Sequence, residues 1–253
     1  MAIVKNGKLR GQVGNSIHRV YKGREIVQSY PQTLKPSGDT LIENTLFGEC
    51  SRMNALIYRL LKDFALEHLG YELSWKTMAI FKRLFFKRTG RSLIGLPNWR
   101  KINEFTNLPI NENILMEDIL FQLPEVDIDN NKIFFWLPPN KEINRLASLE
   151  GCFFIEFSVS LIHYDFQLKF AEVIYTNNSG RRHISQGLEE QEIEVELPDS
   201  YWKKEGLIIV CVGLRFFFSS ESYGYLNSEK MNPTEIVGMW YKGGTEPGFD
   251  ISP

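Results

Sequence analysis

Apolar and polar positions change period along this chain, and the change divides it into parts. Over residues 40–90 the apolar side chains recur every three or four positions. Met53, Leu56, Ile57, Leu60, Leu61, Phe64 and Ala65 form one stripe, and Trp75, Met78, Phe81, Leu84 and Phe85 form a second. That spacing predicts two amphipathic helices. Thr40-Leu-Ile-Glu43 reads as a capping box for the first, because its hydroxyl and carboxylate can each take an orphan backbone N–H. Gly48 is expected to split this helix and Gly70 to stop it. The second helix is expected to start at Ser74 as N-cap and to run to Gly90.

From about Ile114 the period shortens to two. Ile114–Gln122, Lys132–Leu137, Cys152–His163, Phe166–Tyr175, Gln191–Leu197, Leu207–Phe218 and Glu235–Tyr241 are strand-like runs. Turn signals separate them, among them Pro138-Pro139-Asn140, Asn177-Asn178-Ser179-Gly180 and Pro198-Asp199-Ser200. Glu192-Ile-Glu-Val-Glu-Leu alternates strictly, with one face wet and one buried. Cys152–His163 and Leu207–Phe218 are nearly continuous apolar runs, which predicts central strands covered on both faces. In the first, Phe153, Ile155, Phe157, Val159 and Leu161 share a face. In the second, Ile208, Val210, Val212, Leu214 and Phe216 share one, and Arg215 lies on the other, where it must meet solvent or an acid. Strands at this spacing suggest an antiparallel sandwich.

The first 31 residues are punctuated by glycines. Ser16–Tyr21 and Arg24–Tyr30 are extended candidates joined by Lys22-Gly23, a two-residue hairpin turn with a positive-φ position. Ile17, Val20, Ile26 and Val27 are too few to form a core, and an isolated hairpin is marginal in water. The arm must therefore pack on something, with Val13, Gly14, Tyr21, Gly23, Ile26 and Tyr30 as its expected contact residues. The expected fold class is α+β: an N-terminal β-hairpin arm, a helical pair, then an antiparallel β-sandwich. The divisions read from sequence are the arm and linker (1–39), a basic helical segment (40–104), the sandwich (105–242) and a polar tail (243–253).

Charge adds a feature that hydropathy does not carry. Residues 1–104 hold 18 Lys/Arg against 8 Asp/Glu, a net of +10; residues 105–253 hold 11 against 23, a net of −12. The overall −2 conceals this separation, which bears on partners and assembly and not on fold. Between Lys76 and Lys101 there are eight positive residues and no acid. Lys76, Lys82, Arg83, Lys87, Arg88 and Arg91 form the expected basic face. Such a face can meet phosphates, the chain's own acidic half, another subunit or solvent. The aromatic share of 13% further favours strands, cores and contact surfaces.

Candidate chemistry changes little. His18, His68, His163 and His183 lie outside metal-ligand spacing of one another or of a Cys. Asp127-Ile-Asp129-Asn130-Asn131 lacks the further acids of a calcium loop. No nucleophile elbow, phosphate loop or dinucleotide fingerprint is present. Cys50, Cys152 and Cys211 sit in apolar runs and read as buried thiols. Neither a catalytic residue nor a cofactor nor a metal is expected. No secretory signal is read in MAIVKNGKLRGQVGN and no run of about 18 apolar residues exists, so no membrane span is expected and the expected place is the cytoplasm or a particle assembled there.

The arm carries a resemblance. Gly11-x-Val13-Gly14-Asn15 followed by Tyr21-Lys22-Gly23-x-x-Ile26-Val27-x-Ser29-x-Pro31 is similar to the opening of a family of uncharacterised proteins common in Bacteroidota. The match runs from Gly11 to Pro31. Gln28 stands where that family commonly has Arg, and the family's Thr-x-x-Gln-x-x-x-Arg helix start is replaced by Thr40 with Asn44. The resemblance implies a helical middle and a β-rich remainder, and brings no activity with it. The expected function is a non-catalytic structural or interaction protein that assembles with itself or other subunits, with a phage-derived or surface-associated particle as one setting. One rival is a polyanion-binding module using residues 76–101, although no nucleic-acid fold signature favours it. Another is a carbohydrate-binding or hydrolytic sandwich using Trp136, Trp202 and Trp240.

Overall fold

The computed structural model describes residues 3–5, 7–14, 16–22, 24–29, 37–65, 73–85, 100–129, 131–143, 152–219 and 232–242. The chain divides into two compact units, Met1–Asn44 and Thr45–Pro253. The fold is α+β, with antiparallel sheets and a β-rich C-terminal region.

The first unit is a four-stranded antiparallel meander: β1 (Ile3–Lys5), β2 (Lys8–Val13), β3 (Ser16–Tyr21) and β4 (Arg24–Ser29). The hairpin expected at Lys22-Gly23 forms, with Tyr21 paired to Arg24 and Lys22 at φ +47°. The first two strands carry too little alternation to be read from sequence.

Helix α1 (Gly38–Phe64) begins two residues before Thr40. Its cap is Ser37, whose Oγ accepts the Thr40 N–H at 3.2 Å. Thr40 is thus inside the first turn. Gly48 does not split the helix, which runs through it into the turns that bury Cys50, Met53 and Ile57. Helix α2 (Leu73–Phe85) likewise takes Ser74 into its first turn. There the Ser74 hydroxyl accepts a hydrogen bond from Asn54 Nδ2 of α1 at 3.0 Å. Gly70, residues 86–99 and the tail 243–253 lie outside the described residues.

The second unit has three layers. In the middle is a seven-stranded antiparallel sheet ordered β10 (Phe170–Asn178), β9 (Phe154–Asp165), β13 (Gly206–Phe217), β14 (Thr234–Lys242), β5 (Arg100–Lys101). The short β11 (Arg182–His183) pairs with β9, and β6 (Leu108–Pro109) with β14. A single turn of helix, α3 (Asp199–Trp202), leads into β13. On one face of this sheet lie α1 and α2, where Ile57, Leu61 and Phe81 pack with Ile162, Leu207 and Ile209 in one apolar cluster. The helical stretch and the sheet therefore share a core. On the other face lies a three-stranded sheet, β12 (Gln191–Glu196), β8 (Lys132–Leu137), β7 (Glu125–Asp129). Its inward Ile133, Phe135 and Leu137 pack with Ile155, Phe157 and Val210.

This layering explains the two continuous apolar runs. On β13, Ile208, Val210, Val212, Leu214 and Phe216 belong to the sandwich core, while Leu207, Ile209 and Cys211 belong to the helical one. Arg215 meets an acid, Glu156, at 3.8 Å. Phe153 departs from its expected face-mates, being 52% exposed just before β9 begins.

Two expectations fail locally. Ile114–Gln122 is no strand; it holds a 3₁₀ turn at Met116–Asp118. Asp118 Oδ2 accepts the Leu115 N–H at 2.9 Å and Glu235 Oε1 accepts the Met116 N–H at 2.7 Å, so side chains replace the ladder partners a strand would need. Conversely, Glu125–Asp129 forms β7, although three of its five residues are acids. Pairing with the adjacent β8 and burial of Val126 outweigh their poor strand propensity.

Candidate functional site

Two surfaces stand out, one on each unit. In the arm, no described side chain of β1–β4 is buried. Val4 is 71% exposed, Tyr21 61% and Val27 60%. The registers Arg19↔Ile26 and Tyr21↔Arg24 gather apolar and guanidinium groups on one face of the β3–β4 ribbon; His18↔Val27 and Val20↔Glu25 gather Val20 and Val27 on the other. Both faces thus present apolar side chains. Among the expected contact residues, Val13 and Ile26 are also exposed, and Gly14 turns the chain from β2 to β3 at φ +56°. Gly23 and Tyr30 lie outside the described residues.

The expected basic face is described only in part. Lys76 Nζ lies 3.7 Å from Glu112 Oε1, so this cation meets the chain's own acidic half. Lys82 is exposed on α2, and Arg83 follows it in the same helix. Lys87, Arg88 and Arg91 are outside the described residues.

The second surface is the outer face of the three-stranded sheet, which the sequence reading did not single out. Strand alternation turns Lys132, Phe134 and Trp136 of β8 outward, with Glu125, Asp127 and Asp129 of β7 and Glu192, Glu194 and Glu196 of β12. Register then aligns them in three ranks. Glu192 and Glu125 flank Trp136, Glu194 and Asp127 flank Phe134, and Glu196 and Asp129 flank Lys132. The result is an aromatic column walled by carboxylates, a groove of about 510 Å³. Phe134 is 41% exposed and Trp136 37%. The indole Nε1 donates to Glu190 Oε1 at 2.9 Å, which fixes the ring's tilt and adds another acid to the rim. Lys132 donates to Glu194 across the strands, and that bond holds its ammonium above the ordinary lysine pKa.

Two features could have marked this face in the sequence: the strict Glu-x-Glu-x-Glu alternation at 192–196 and the Phe-x-Trp step at 134–136. The flanking acids of β7 read instead as turn residues, and only the pairing of three separate segments brings them together. Trp136 and Trp240 do not share a site: Trp240 is buried in the sandwich core beneath Lys101, whose Nζ lies 5.5 Å from its ring, whereas Trp136 faces outward. The side chain of Trp202 is outside the description.

Little else has the makings of chemistry. Cys50, Cys152 and Cys211 are buried thiols, and burial pushes Cys50 up to about 12. Among the described residues no three of His, Cys, Asp and Glu are grouped to hold a metal ion, and no helix is long and apolar enough to cross a membrane. The chain matches no protein-family model, no curated protein and no solved structure.

Proposed function

We propose that this is a non-catalytic interaction protein that assembles with copies of itself or with other subunits, in a phage-derived or surface-associated particle, and that it is related to the Bacteroidota proteins whose arm it resembles. One observation carries the reading: a four-stranded arm without a single buried side chain among those described, exposing Val4, Val13, Tyr21, Ile26 and Val27. Three or more strands become independently stable only with a hydrophobic face or another element packed against them, and this sheet buries none of its described side chains. Each Val or Ile side chain that a partner fully covers contributes roughly 1.5–3 kcal/mol, set against the cost of association, so the exposed apolar side chains of the arm favour assembly when buried together.

Light scattering coupled to size exclusion tests this on the full chain and on one lacking residues 1–30. The full chain is expected to populate an assembled species that grows with concentration. The shortened chain is expected to run as a monomer with the cooperative melting of the second unit intact. An identical mass distribution for the two proteins would remove the arm from assembly and with it the basis of the proposal.

A further inference from the structure

We infer that the outer face of the β7–β8–β12 sheet binds a basic, extended peptide segment of a partner protein. The inference rests on the reading of the chain as an interaction protein, and it concerns a surface separate from the arm.

Three observations on this face specify the occupant. The first is charge. Seven carboxylates, Glu125, Asp127, Asp129, Glu190, Glu192, Glu194 and Glu196, surround one ammonium, Lys132. The β7 and β12 columns stand about 10 Å apart across β8, two strand spacings. That is close to the Debye length of about 8 Å at physiological salt, so a cation between them feels both walls.

The second is the floor. Phe134 and Trp136 lie between those walls, half exposed, in the groove. An aromatic face attracts a guanidinium or ammonium within about 6 Å of its centroid, and the attraction is strongest for Trp. Carboxylates at the rim and a π-face at the base are both groups that prefer a cation. A neutral sugar would stack on the rings but leave the walls uncompensated, and an anion would be repelled by them.

The third is the chain's own Lys132. In the third rank the aromatic position is taken by this lysine, and its ammonium is held by Glu194. One cationic side chain thus already sits in the row where the proposal places others.

Spacing selects an extended segment. Successive ranks along β8 are two residues apart, about 6.8 Å. In an extended peptide, side chains on one face recur at the same interval. Alternate Arg or Lys residues would therefore fall in step with Trp136 and Phe134, each between a pair of carboxylates.

The probe is a blocked eight-residue peptide of alternating arginine and threonine carrying a fluorescein, followed by anisotropy on the full chain. Expected is saturable binding at 50 mM salt that weakens at least tenfold at 500 mM. Glu125→Gln with Glu192→Gln, two exposed near-isosteric changes beside Trp136, is expected to weaken binding at least tenfold with the circular dichroism unchanged. Trp136→Leu is expected to weaken it at least fivefold; Phe134→Leu serves the same purpose should that variant not fold. An alternating glutamate–threonine peptide and maltohexaose are expected not to compete. No binding of the arginine peptide, binding indifferent to the Glu125/Glu192 pair, or displacement by maltohexaose would each overturn the inference. Charge-dependent self-association lost in the same variant, without peptide binding, would give the face to a second copy and also overturn it. Arm-dependent assembly, read by light scattering, is expected to be the same in wild type and in the Glu125/Glu192 variant, so the two readings fail separately.

Discussion

His163 is buried in the second unit, and neither ring nitrogen has a hydrogen-bond partner among the described residues. Its ring meets Tyr201 edge-on at 5.1 Å, and it stands opposite Glu172 of β10 and Ile208 of β13. A Cβ at Gly206 would fall 2.7 Å from its Nε2, so that position admits no side chain while the imidazole is there. Burial lowers the His163 pKa to about 4, with Asp165 opposing and Lys204 assisting. The neutral ring is thus favoured in the folded state, while the unfolded chain takes up a proton near pH 6.5. The stability this confers is complete above about pH 6.5 and is lost as pH falls toward 4, by about 3 kcal/mol. His163→Leu should flatten that part of the stability profile. Urea midpoints at pH 7 and pH 4.5 for both proteins provide the check, and parallel losses would rule out this histidine as the cause. Nearby in kind, Phe157 is fully buried and stacks on Phe135 of the facing sheet with centroids 5.5 Å apart. Truncation to Ala is expected to cost about 3–5 kcal/mol in chemical denaturation, and a wild-type midpoint would mean that this pair does not join the layers.

Among the elements, α1 offers a stabilising change. Gly48 lies within the helix, is exposed, and has nothing within 4 Å of where a Cβ would stand. Gly48→Ala should raise stability by about 0.5–1 kcal/mol, through helix propensity and a less disordered unfolded chain. Thermal melting would show it, and an unchanged or lower midpoint would contradict it. How an element could be read depended on what it packs against. β13 was evident because helices and a second sheet cover both its faces, so Arg215 is its one charged residue; β9 is covered in the same way and was evident from its Phe, Ile, Val and Leu, although it also carries Glu156, Ser158, Ser160, His163 and Asp165. β12 was evident from strict alternation, and β8 from a short run of β-favouring apolar and aromatic residues, Ile133 to Leu137, ended by Pro138-Pro139. β7 escaped because only Val126 is buried among five residues, leaving acids to dominate its composition. The Ile114–Gln122 run misled in the opposite sense. Its buried Ile114, Met116, Ile119 and Leu120 surround a 3₁₀ turn, and a short apolar run has no period by which to tell turn from strand.

For the whole molecule, the α+β class followed from period, while the core shared by helices and sheet depended on tertiary packing and the candidate binding face on register. Trp136 gains its neighbours Glu125 and Glu192 only once β7 and β12 pair on either side of β8, and nothing local in the sequence encodes that company. The order of the layers along the chain has a further consequence during synthesis. Helices α1 and α2 are complete by Phe85, but the strands that cover their apolar sides, β9, β13 and β14, begin at Phe154, Gly206 and Thr234. At roughly 5–20 residues per second a ribosome needs on the order of ten seconds to deliver them. Through that interval Ile57, Leu61 and Phe81 have no sheet to lie on, so the nascent chain carries an uncovered apolar helical face, prone to association, until its last strand emerges.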